Sequence, residues 1–301
     1  MSASQPVPTL TALAALPAVI TFRPFTLDDL AAAHALSMEV SWPHRADDWR
    51  LVAHAGSGFV AENEGRVVGT ALCWKYGKDG ASLGMVIVSP DQQGRGIGRE
   101  LMDRLLEALG TRTTVLHATP AGQPLYEKLG FSAIGTINQH QAADFRVPRM
   151  ALPQGEQLRP LHADDTRHLI DLASRASGLD RSALLPPLLA IAQGIALERN
   201  GELLGFALCR PFGRGHAIGP VVAVASDAEH ARRAQALIAH CLAKNAGAFT
   251  RIDTPGDSGL TPWLDELGMK RVDTVVKMSR NGAPAIDPSV VQFGIVNQAL
   301  G

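Results

Sequence analysis

Three alternate glycines, Gly94, Gly96 and Gly98, are the residues of this chain whose spacing most clearly implies chemistry. A helix that begins among glycines has free backbone N–H groups, and glycine lets an anion approach them closely. Arg95 and Arg99 add positive charge at the same place. Because a helix N-terminus also carries the positive end of the helix dipole, the segment predicts a site for a phosphate or pyrophosphate.

The elements on either side of the glycines support this prediction. The apolar run at 83–88 has the length and composition of a buried strand. After the glycines, apolar residues recur at helical spacing and end before Gly110, where a C-terminal cap is expected. These residues are Ile97, Leu101, Met102, Leu105, Leu106 and Leu109. The sequence therefore predicts a strand, a turn and a helix in succession.

The glycine spacing distinguishes between kinds of phosphate ligand. The dinucleotide fingerprint needs G-x-G-x-x-G, and a Walker motif needs Gly-Lys-Ser/Thr, but this chain has G-x-G-x-G. Gln93-x-x-Gly96-x-Gly98, which follows a Val-x-Pro strand end, instead resembles the coenzyme A-binding motif of the GNAT superfamily of N-acetyltransferases.

A second stretch adds to the resemblance. A predicted strand at 113–119 is followed by Gly122-Gln-Pro-Leu-Tyr-Glu-Lys-Leu-Gly-Phe131, which is similar to the last conserved helix of the family. In the family, the tyrosine at this place lies beside the sulfur of coenzyme A and returns a proton to it. The resemblance therefore implies that Tyr126 is the catalytic acid.

The resemblance also implies the chemistry and the residues that bind the donor. Acetyl-CoA would serve as acyl donor, and the amine would attack the thioester directly in a ternary complex, with a backbone N–H near Val86 polarising the carbonyl. The implied coenzyme-binding residues are Val86, Ile87, Val88, Gln93, Gly94, Arg95, Gly96, Ile97, Gly98, Arg99 and Thr119.

The acceptor side is less specific in the sequence. The segment 41–49 lies where family members commonly form the acceptor pocket, and Trp42, His44 and Trp49 are its candidate substrate residues. The two tryptophans could equally anchor the segment to the core. His117 is a further candidate substrate residue: it could face the reacting centre from the predicted strand, or be a histidine without a catalytic role.

Three functions remain open at this stage. The first is an N-acetyltransferase that acts on a primary amine of a small molecule. The second is the same chemistry on a protein lysine or N-terminus. The third is a non-catalytic acyl-CoA sensor or scaffold. The intact glycines and Tyr126 favour an enzyme.

The chain repeats itself. Arg159-Pro160 follow Arg23-Pro24 by 136 positions, and the Gly-x-x-x-Gly at 201–205 follows that at 65–69 by the same distance. We therefore predict a leader at 1–19, a catalytic domain at 20–150, a second domain at 155–281 and a tail at 282–301 that packs on the core. The fold class is mixed α/β (α+β). The resemblance implies two tandem GNAT-like domains, each with a mostly antiparallel mixed sheet, splayed central strands and helices on both faces.

The second copy lacks the features of the first. Its counterpart of the glycine segment, 228–233, has no glycine, and Glu229 would place a like charge beside a phosphate. Leu264 stands at the position equivalent to Tyr126. The sequence therefore assigns coenzyme binding and catalysis to the first domain.

Composition limits the possible partners and location. The formal net charge is −1 and the three cysteines are widely spaced. These values favour neither a nucleic-acid nor a membrane partner, and they suit a reducing cytoplasm. The ten histidines form no pair at ligand spacing with carboxylates or thiols, so no metal is expected. A monomer and a homodimer are both compatible with the sequence.

Overall fold

The computed structural model describes residues 19–225, 227 and 229–301, so the leader predicted at 1–19 lies outside the described residues except for its last position. The first half forms six strands and four α-helices. They are β1 (Ile20–Pro24), α1 (Leu30–Glu39), α2 (Ala46–Ala55), β2 (Ser57–Asn63), β3 (Arg66–Tyr76), β4 (Gly80–Val88), α3 (Ile97–Leu109), β5 (Thr113–Ala118), α4 (Gln123–Lys128) and β6 (Ser132–Ala142).

The second half has the same order of elements and adds one strand. They are β7 (Glu156–Pro160), α5 (Thr166–Ser177), α6 (Leu185–Leu189), β8 (Gln193–Arg199), β9 (Glu202–Phe212), β10 (Gly215–Val224), α7 (His230–Lys244), β11 (Thr250–Pro255), α8 (Thr261–Glu266), β12 (Lys270–Arg280) and β13 (Val290–Gly294). The repeat in the sequence is thus a repeat in structure.

One ion-pair network shows how closely the halves correspond. Arg23 binds Asp29 through two hydrogen bonds of 2.8 and 2.7 Å, and it also contacts Glu62 at 2.6 Å. Arg159 binds Asp165 and Glu198 in the same manner, at 2.7, 2.9 and 2.6 Å. In each half the network ties the first strand to the turn before the first helix.

The strands form a continuous mixed sheet with helices on both faces. Residues of β3 alternate between two cores: Leu72 and Trp74 pack in the cluster that includes residues of α1, α2 and α5, whereas Ala71 and Cys73 pack with α3. Parallel pairing occurs between β4 and β5 and between β10 and β11, and the other pairs are antiparallel. The mixed α/β fold predicted from the sequence is confirmed.

The two halves exchange their long late strands. The order across the sheet is β1-β2-β3-β4-β5-β12-β6-β11-β10-β9-β8-β7. Strand β12 of the second half therefore pairs with β5 of the first, and β6 of the first pairs with β11 of the second. The sequence predicted a sheet in each domain, but the structure joins both into one.

Each half contains a point where two parallel strands part. β4 and β5 pair only from Gly80↔Thr113 to Ser82↔Val115, and β10 and β11 pair only from His216↔Thr250 to Ile218↔Ile252. Beyond those residues the strands diverge and leave a gap. In the second half, β13 pairs with β10 beyond the divergence.

In the part of the chain that the structure describes, no helix is both long enough and apolar enough to cross a membrane.

Candidate active site

The N-terminus of α3 is open to an anion. Gly96 is its N-cap in the left-handed conformation, with φ 79° and ψ 0°, and no side chain caps the helix. A Cβ added at Gly94 or Gly96 would meet no atom within 4 Å, so no neighbour in the structure crowds these two glycines. A phosphate fits this arrangement, because the helix start offers free donors and the carboxylate in its first turn, that of Glu100, pairs with Arg104 at 2.8 Å.

The side chains around this helix start differ in their burial and in their hydrogen-bond partners. Ile97 is 2 % exposed and packs in the core, so only its backbone faces the anion site. Arg99 pairs with Asp103 at 2.8 Å one turn along the helix, and Arg95 hydrogen-bonds to Gln92. Gln93 donates to the Val88 carbonyl at 3.2 Å and fixes the turn to the end of the strand. Gly98 lies beside Val88, where a Cβ would contact its Cγ2 at 3.6 Å.

The edge of β4 that faces the gap carries backbone groups without a strand partner among the described residues. Ile87 and Val88 pair with β3 on the opposite edge, and a bulge in that ladder lies between Thr70 and Leu72. At the bulge Met85 adopts a positive φ of 52°, and the Thr70 hydroxyl donates to its carbonyl at 2.8 Å. Such a bulge changes the direction of backbone groups beside the gap. Val86 lies there and lines a cavity at the divergence of β4 and β5.

Tyr126 lies across the gap on α4 and lines the same cavity. Its ring packs edge-on against Phe131, with centroids 6.2 Å apart. Gly122 leaves room for the ring, since a Cβ there would lie 3.0 Å from Tyr126 Cε2. Burial raises the pKa of the Tyr126 phenol to about 12, so the phenol is protonated at neutral pH. Thr119 also lines the cavity, and its Oγ1 accepts the Gly122 N–H at 3.3 Å.

A cavity of about 490 Å³ lies at the divergence of β4 and β5, between the two halves. This volume is in the range of small-molecule sites. The first half supplies one wall, which includes Leu83, Val86, Leu116 and Tyr126. The second half and the C-terminus supply the opposite wall, which consists of Phe212, Arg214, Arg251, Asp273, Asn297, Gln298 and Ala299.

Three of the predicted acceptor residues line this cavity: Trp42 and His44 from segment 41–49, and His117 from β5. The rings of Trp42 and His44 lie 5.7 Å apart, and His44 contacts Phe212 of the second half edge-on at 5.4 Å. Burial lowers the pKa of His44 to about 4, so its ring is neutral at neutral pH.

Trp49 requires a correction. It was predicted as a possible substrate residue, but it is 0 % exposed and donates from Nε1 to Ser37 Oγ at 3.0 Å. It lies on α2 with its ring in the core, where it anchors the helix. Of the two tryptophans in the segment, only Trp42 lines the cavity.

His117 forms a hydrogen bond through one of its two ring nitrogens. Its Nδ1 lies 2.7 Å from the carbonyl oxygen of Gln298, and because a carbonyl can only accept, Nδ1 carries the proton. Nε2 is then the acceptor atom, and it is buried without a hydrogen-bond partner. Burial, together with the neighbouring cations Lys277 and Arg181, lowers the pKa of His117 to about 4, although the hydrogen bond to Gln298 opposes this shift.

Most of the remaining lining residues were not predicted. Gln139 and Gln141 come from β6, and the Gln139 amide donates to Gln141 at 3.1 Å. Asp273 reaches the cavity on β12, which is one of the exchanged strands, whereas Phe212 and Arg214 come from the end of β9 and the turn after it. The apolar character of the tail indicated that it packs, but no signal in the sequence indicated this position.

The counterpart of the anion site in the second half is filled by the chain itself. Asp227 accepts the Glu229 N–H at 3.0 Å and pairs with Arg233 at 2.7 Å. Arg233 is fully buried and also binds Glu156 at 2.6 Å. Leu264, at the position equivalent to Tyr126, is a core residue that is 0 % exposed. A carboxylate therefore stands near the start of α7, and the place of the phenol is apolar.

Among the described residues, no group of three or more histidine, cysteine, aspartate or glutamate side chains could hold a metal ion.

Comparison with known families gives two matches in this chain. Residues 54–133 and residues 169–294 each match an acetyltransferase (GNAT) domain. The first match contains the glycine segment, Tyr126 and the divergence of β4 and β5. The second runs through β13, so it includes the strand beyond the predicted end of the second domain.

Similar proteins agree with these two family matches. An uncharacterized N-acetyltransferase of Bacillus subtilis, YitH, is 27 % identical over 270 residues, which is 87 % of this chain and 92 % of that protein. The crystal structure of a putative acetyltransferase from Pyrococcus horikoshii superposes with a TM-score of 0.74 at 20 % identity, over 97 % of this chain and 99 % of that one. A tandem GNAT protein from the clavulanic acid biosynthesis pathway gives 0.61 at 16 %, over 88 % and 99 %. The two structures show the shared fold.

Proposed function

Because the chain belongs to the GNAT acetyltransferase family, as an acyltransferase with two such domains in tandem, we propose that it moves an acetyl group from acetyl-CoA to a primary amine of a small molecule. Acetyl-CoA binds the first domain. The observation that carries the proposal is the cavity at the divergence of β4 and β5, which is lined by Tyr126 and by a wall from the second half, while β4 leads on to the anion site at the start of α3.

The residues of the first domain fit an acyl-CoA donor. The α3 start at Gly94, Gly96 and Gly98 would hold the diphosphate, and the free edge of β4 at 86–88 would hydrogen-bond the pantetheine arm. Bound acetyl-CoA supplies an activated thioester carbonyl. A backbone N–H near Val86 would stabilise the negative charge that develops on that carbonyl oxygen.

Tyr126 serves as the general acid for the departing sulfur. A phenol is suited to this step because its ordinary pKa lies above that of a thiol, so it is protonated when the thiolate leaves. Burial increases that difference, since it raises the pKa of Tyr126 to about 12. A positioned general acid contributes about 10²–10⁴-fold to the rate.

The walls of the cavity favour a small acceptor over a protein chain. Arg45 on the first half donates to the Pro211 carbonyl at 2.9 Å, and the Gly213 N–H donates to Asp48 at the same distance. These contacts fasten the segment before α2 to the second half. The β4–β5 gap is therefore walled by residues of both halves, whereas a protein substrate needs an open groove.

A cytoplasmic location accords with the cysteines. Cys73, Cys209 and Cys241 are free and buried. Unpaired buried thiols are typical of proteins in reducing compartments.

Release of coenzyme A thiol from acetyl-CoA, measured with a panel of small amines and with lysine-containing peptides, tests the proposal. We expect turnover that depends on a small amine and little turnover with peptides. Turnover with peptides alone would support the protein acetyltransferase instead. Tight binding of acetyl-CoA without transfer to any amine would support the sensor.

A further inference from the structure

The C-terminal segment, which we define as residues 290–301, occupies the second domain where an acyl carrier would lie. Strand β13 pairs with Val221, Val222 and Ala223 of β10. The offset that aligns Gly219 with Gly84 makes these three residues the counterparts of 86–88 in the first domain. The Ile295 N–H then donates to the Asp253 carbonyl of β11 at 2.9 Å. The segment thus bridges the gap between β10 and β11.

From this anchor the segment crosses to the first domain. Three successive carbonyl oxygens, those of Gln298, Ala299 and Leu300, accept hydrogen bonds from side chains there or at the junction. His117 donates to the first at 2.7 Å, Ser82 to the second at 3.0 Å, and Tyr76 and Arg181 to the third at 2.9 and 2.7 Å.

The turn that presents these carbonyls is built by one side chain. Asn297 Oδ1 accepts the N–H groups of Ala299 and Leu300 at 2.9 and 2.8 Å. Gly84 lets the turn lie close, since a Cβ there would stand 3.0 Å from Ala299. The position of the Gln298 carbonyl is therefore fixed from both domains.

We propose that His117 accepts the proton of the attacking amine at Nε2, and that the C-terminal segment holds its ring in the required tautomer and orientation. The inference rests on the proposed acetyl transfer. His117 lines the same cavity as Tyr126, its Nδ1 proton is committed to Gln298, and Nε2 has no hydrogen-bond partner. A base oriented through its other nitrogen by a fixed acceptor is the usual arrangement of catalytic histidines.

The proposed transfer moves one proton to His117 and one proton from Tyr126. The amine nitrogen attacks the thioester carbonyl carbon as a free base, a C–N bond forms, and the N–H proton passes to His117 Nε2. The C–S bond breaks, and the sulfur takes the phenol proton of Tyr126. The proton on His117 then returns to the phenolate through solvent, so the products are the amide and the thiol.

Burial is the main reason that His117 is neutral before the step, and the charged groups near it act in the same direction. Lys277 pairs with His117 across β12 and β5, and Arg181 lies on the side of the second domain. Both cations oppose its protonation in the resting state. Nε2 therefore offers its lone pair at neutral pH.

Two substitutions of His117 separate a base from a structural donor. His117→Asn retains a donor at the place of Nδ1 and loses Nε2, whereas His117→Gln places an amide N–H at Nε2. We expect both variants to lower kcat by at least tenfold with an amine that the wild-type chain acetylates, while the Kd for acetyl-CoA stays within error. The melting temperature should stay within error in His117→Asn and fall in His117→Gln, because there the Gln298 carbonyl loses its donor. Wild-type-like kcat in His117→Asn would overturn the assignment, because it shows that the contact with Gln298 is all that His117 provides.

A second pair tests the role of the C-terminal segment. Asn297→Ala removes the acceptor that shapes the turn, and Asn297→Asp retains one. We expect Asn297→Ala to lower kcat several-fold with little change in acetyl-CoA Kd, and Asn297→Asp to restore most of it. Unchanged kcat in Asn297→Ala, beside a loss in His117→Asn, would overturn the positioning role alone. A wild-type chain that acetylates no amine would overturn both the inference and the proposed function.

Discussion

At the scale of single residues, the cavity is lined by neutral titratable groups from the first half and by charged groups from the second half. His44 and His117 are neutral because burial lowers their pKa to about 4, and Tyr126 is neutral because burial raises its pKa to about 12. The cations Arg214 and Arg251 and the anion Asp273 come from the second half. The groups of the first domain that we propose to react are thus uncharged at neutral pH.

Tyr126→Phe is the sharpest single test of the acid. The ring and its contact with Phe131 persist, and only the hydroxyl is lost. We expect kcat for coenzyme A release to fall tens-fold or more, and acetyl-CoA affinity measured by calorimetry to change little. Because the phenol pKa is about 12, wild-type kcat should show no loss from Tyr126 deprotonation below about pH 11. Unchanged turnover in Tyr126→Phe would remove this residue from the mechanism.

The two tryptophans of segment 41–49 form a matched pair. Trp42 lines the cavity, so Trp42→Ala should raise the KM for the amine with a modest loss of stability. Trp49 is fully buried, so Trp49→Ala should lower the free energy of unfolding by about 3–5 kcal/mol. Steady-state kinetics and urea denaturation measure the two effects. An unchanged amine KM in Trp42→Ala would show that this ring does not contact the acceptor.

At the scale of elements, the start of α3 combines an unusual backbone with open space. Gly96 has a φ of 79° and serves as N-cap, and nothing lies within 4 Å of a Cβ placed there. The glycine is therefore needed for its conformation and for access to the helix start, because no neighbour in the protein excludes a side chain.

Gly96→Ala and Gly65→Ala separate these two requirements. Gly65 has the same φ of 79° and equally empty surroundings, but it lies in the turn between β2 and β3, away from the anion site. Each alanine should cost roughly 1–2 kcal/mol of stability. Only Gly96→Ala should weaken acetyl-CoA binding, by about tenfold or on the order of 1.4 kcal/mol. Equal affinities in calorimetry would argue against contact between the diphosphate and this helix start.

Local elements were predictable from the sequence. The helix expected between the glycines and Gly110 is α3, which spans Ile97–Leu109 with Gly110 as C-cap. The strand expected at 83–88 is the second part of β4. Both depend on apolar periodicity and glycine conformation, which act over a few residues.

The exchange of strands could not be predicted, and the physical reason lies in the duplication. Because β6 and β12 descend from equivalent positions of a repeat, both have patterns that fit next to either β5 or β11. Periodicity determines which face of a strand is buried, but it does not determine which copy supplies the neighbour. The lining residue Asp273, on the exchanged strand β12, was missed for this reason.

At the scale of the whole molecule, the two halves differ at the helix start and at the strand edge that would bind the donor. The first has an open helix start and a free strand edge. In the second, Asp227 stands at the corresponding helix start and β13 occupies the edge of β10. The second half supplies a wall of the cavity and pairs with the C-terminal segment through β10.

This division predicts the stoichiometry of donor binding. Calorimetric titration of the intact chain with acetyl-CoA should give one site per chain, and Gly96→Ala should weaken that one site. Pairing with β13 would have to break before a second molecule could occupy β10, and that loss opposes binding. Two sites of similar affinity would contradict the inferred role of β13.

The strand exchange has a consequence for biosynthesis. Strand β5 has no neighbour on its outer side until residues 270–280 are available, and the cavity has no closing wall until 297–299 arrive. A nascent chain that ends near residue 155, between β6 and β7, would present exposed sheet edges to chaperones and proteases. Activity should therefore emerge only after nearly the whole polypeptide has been translated, and two halves expressed as separate polypeptides should regain it only by associating with each other.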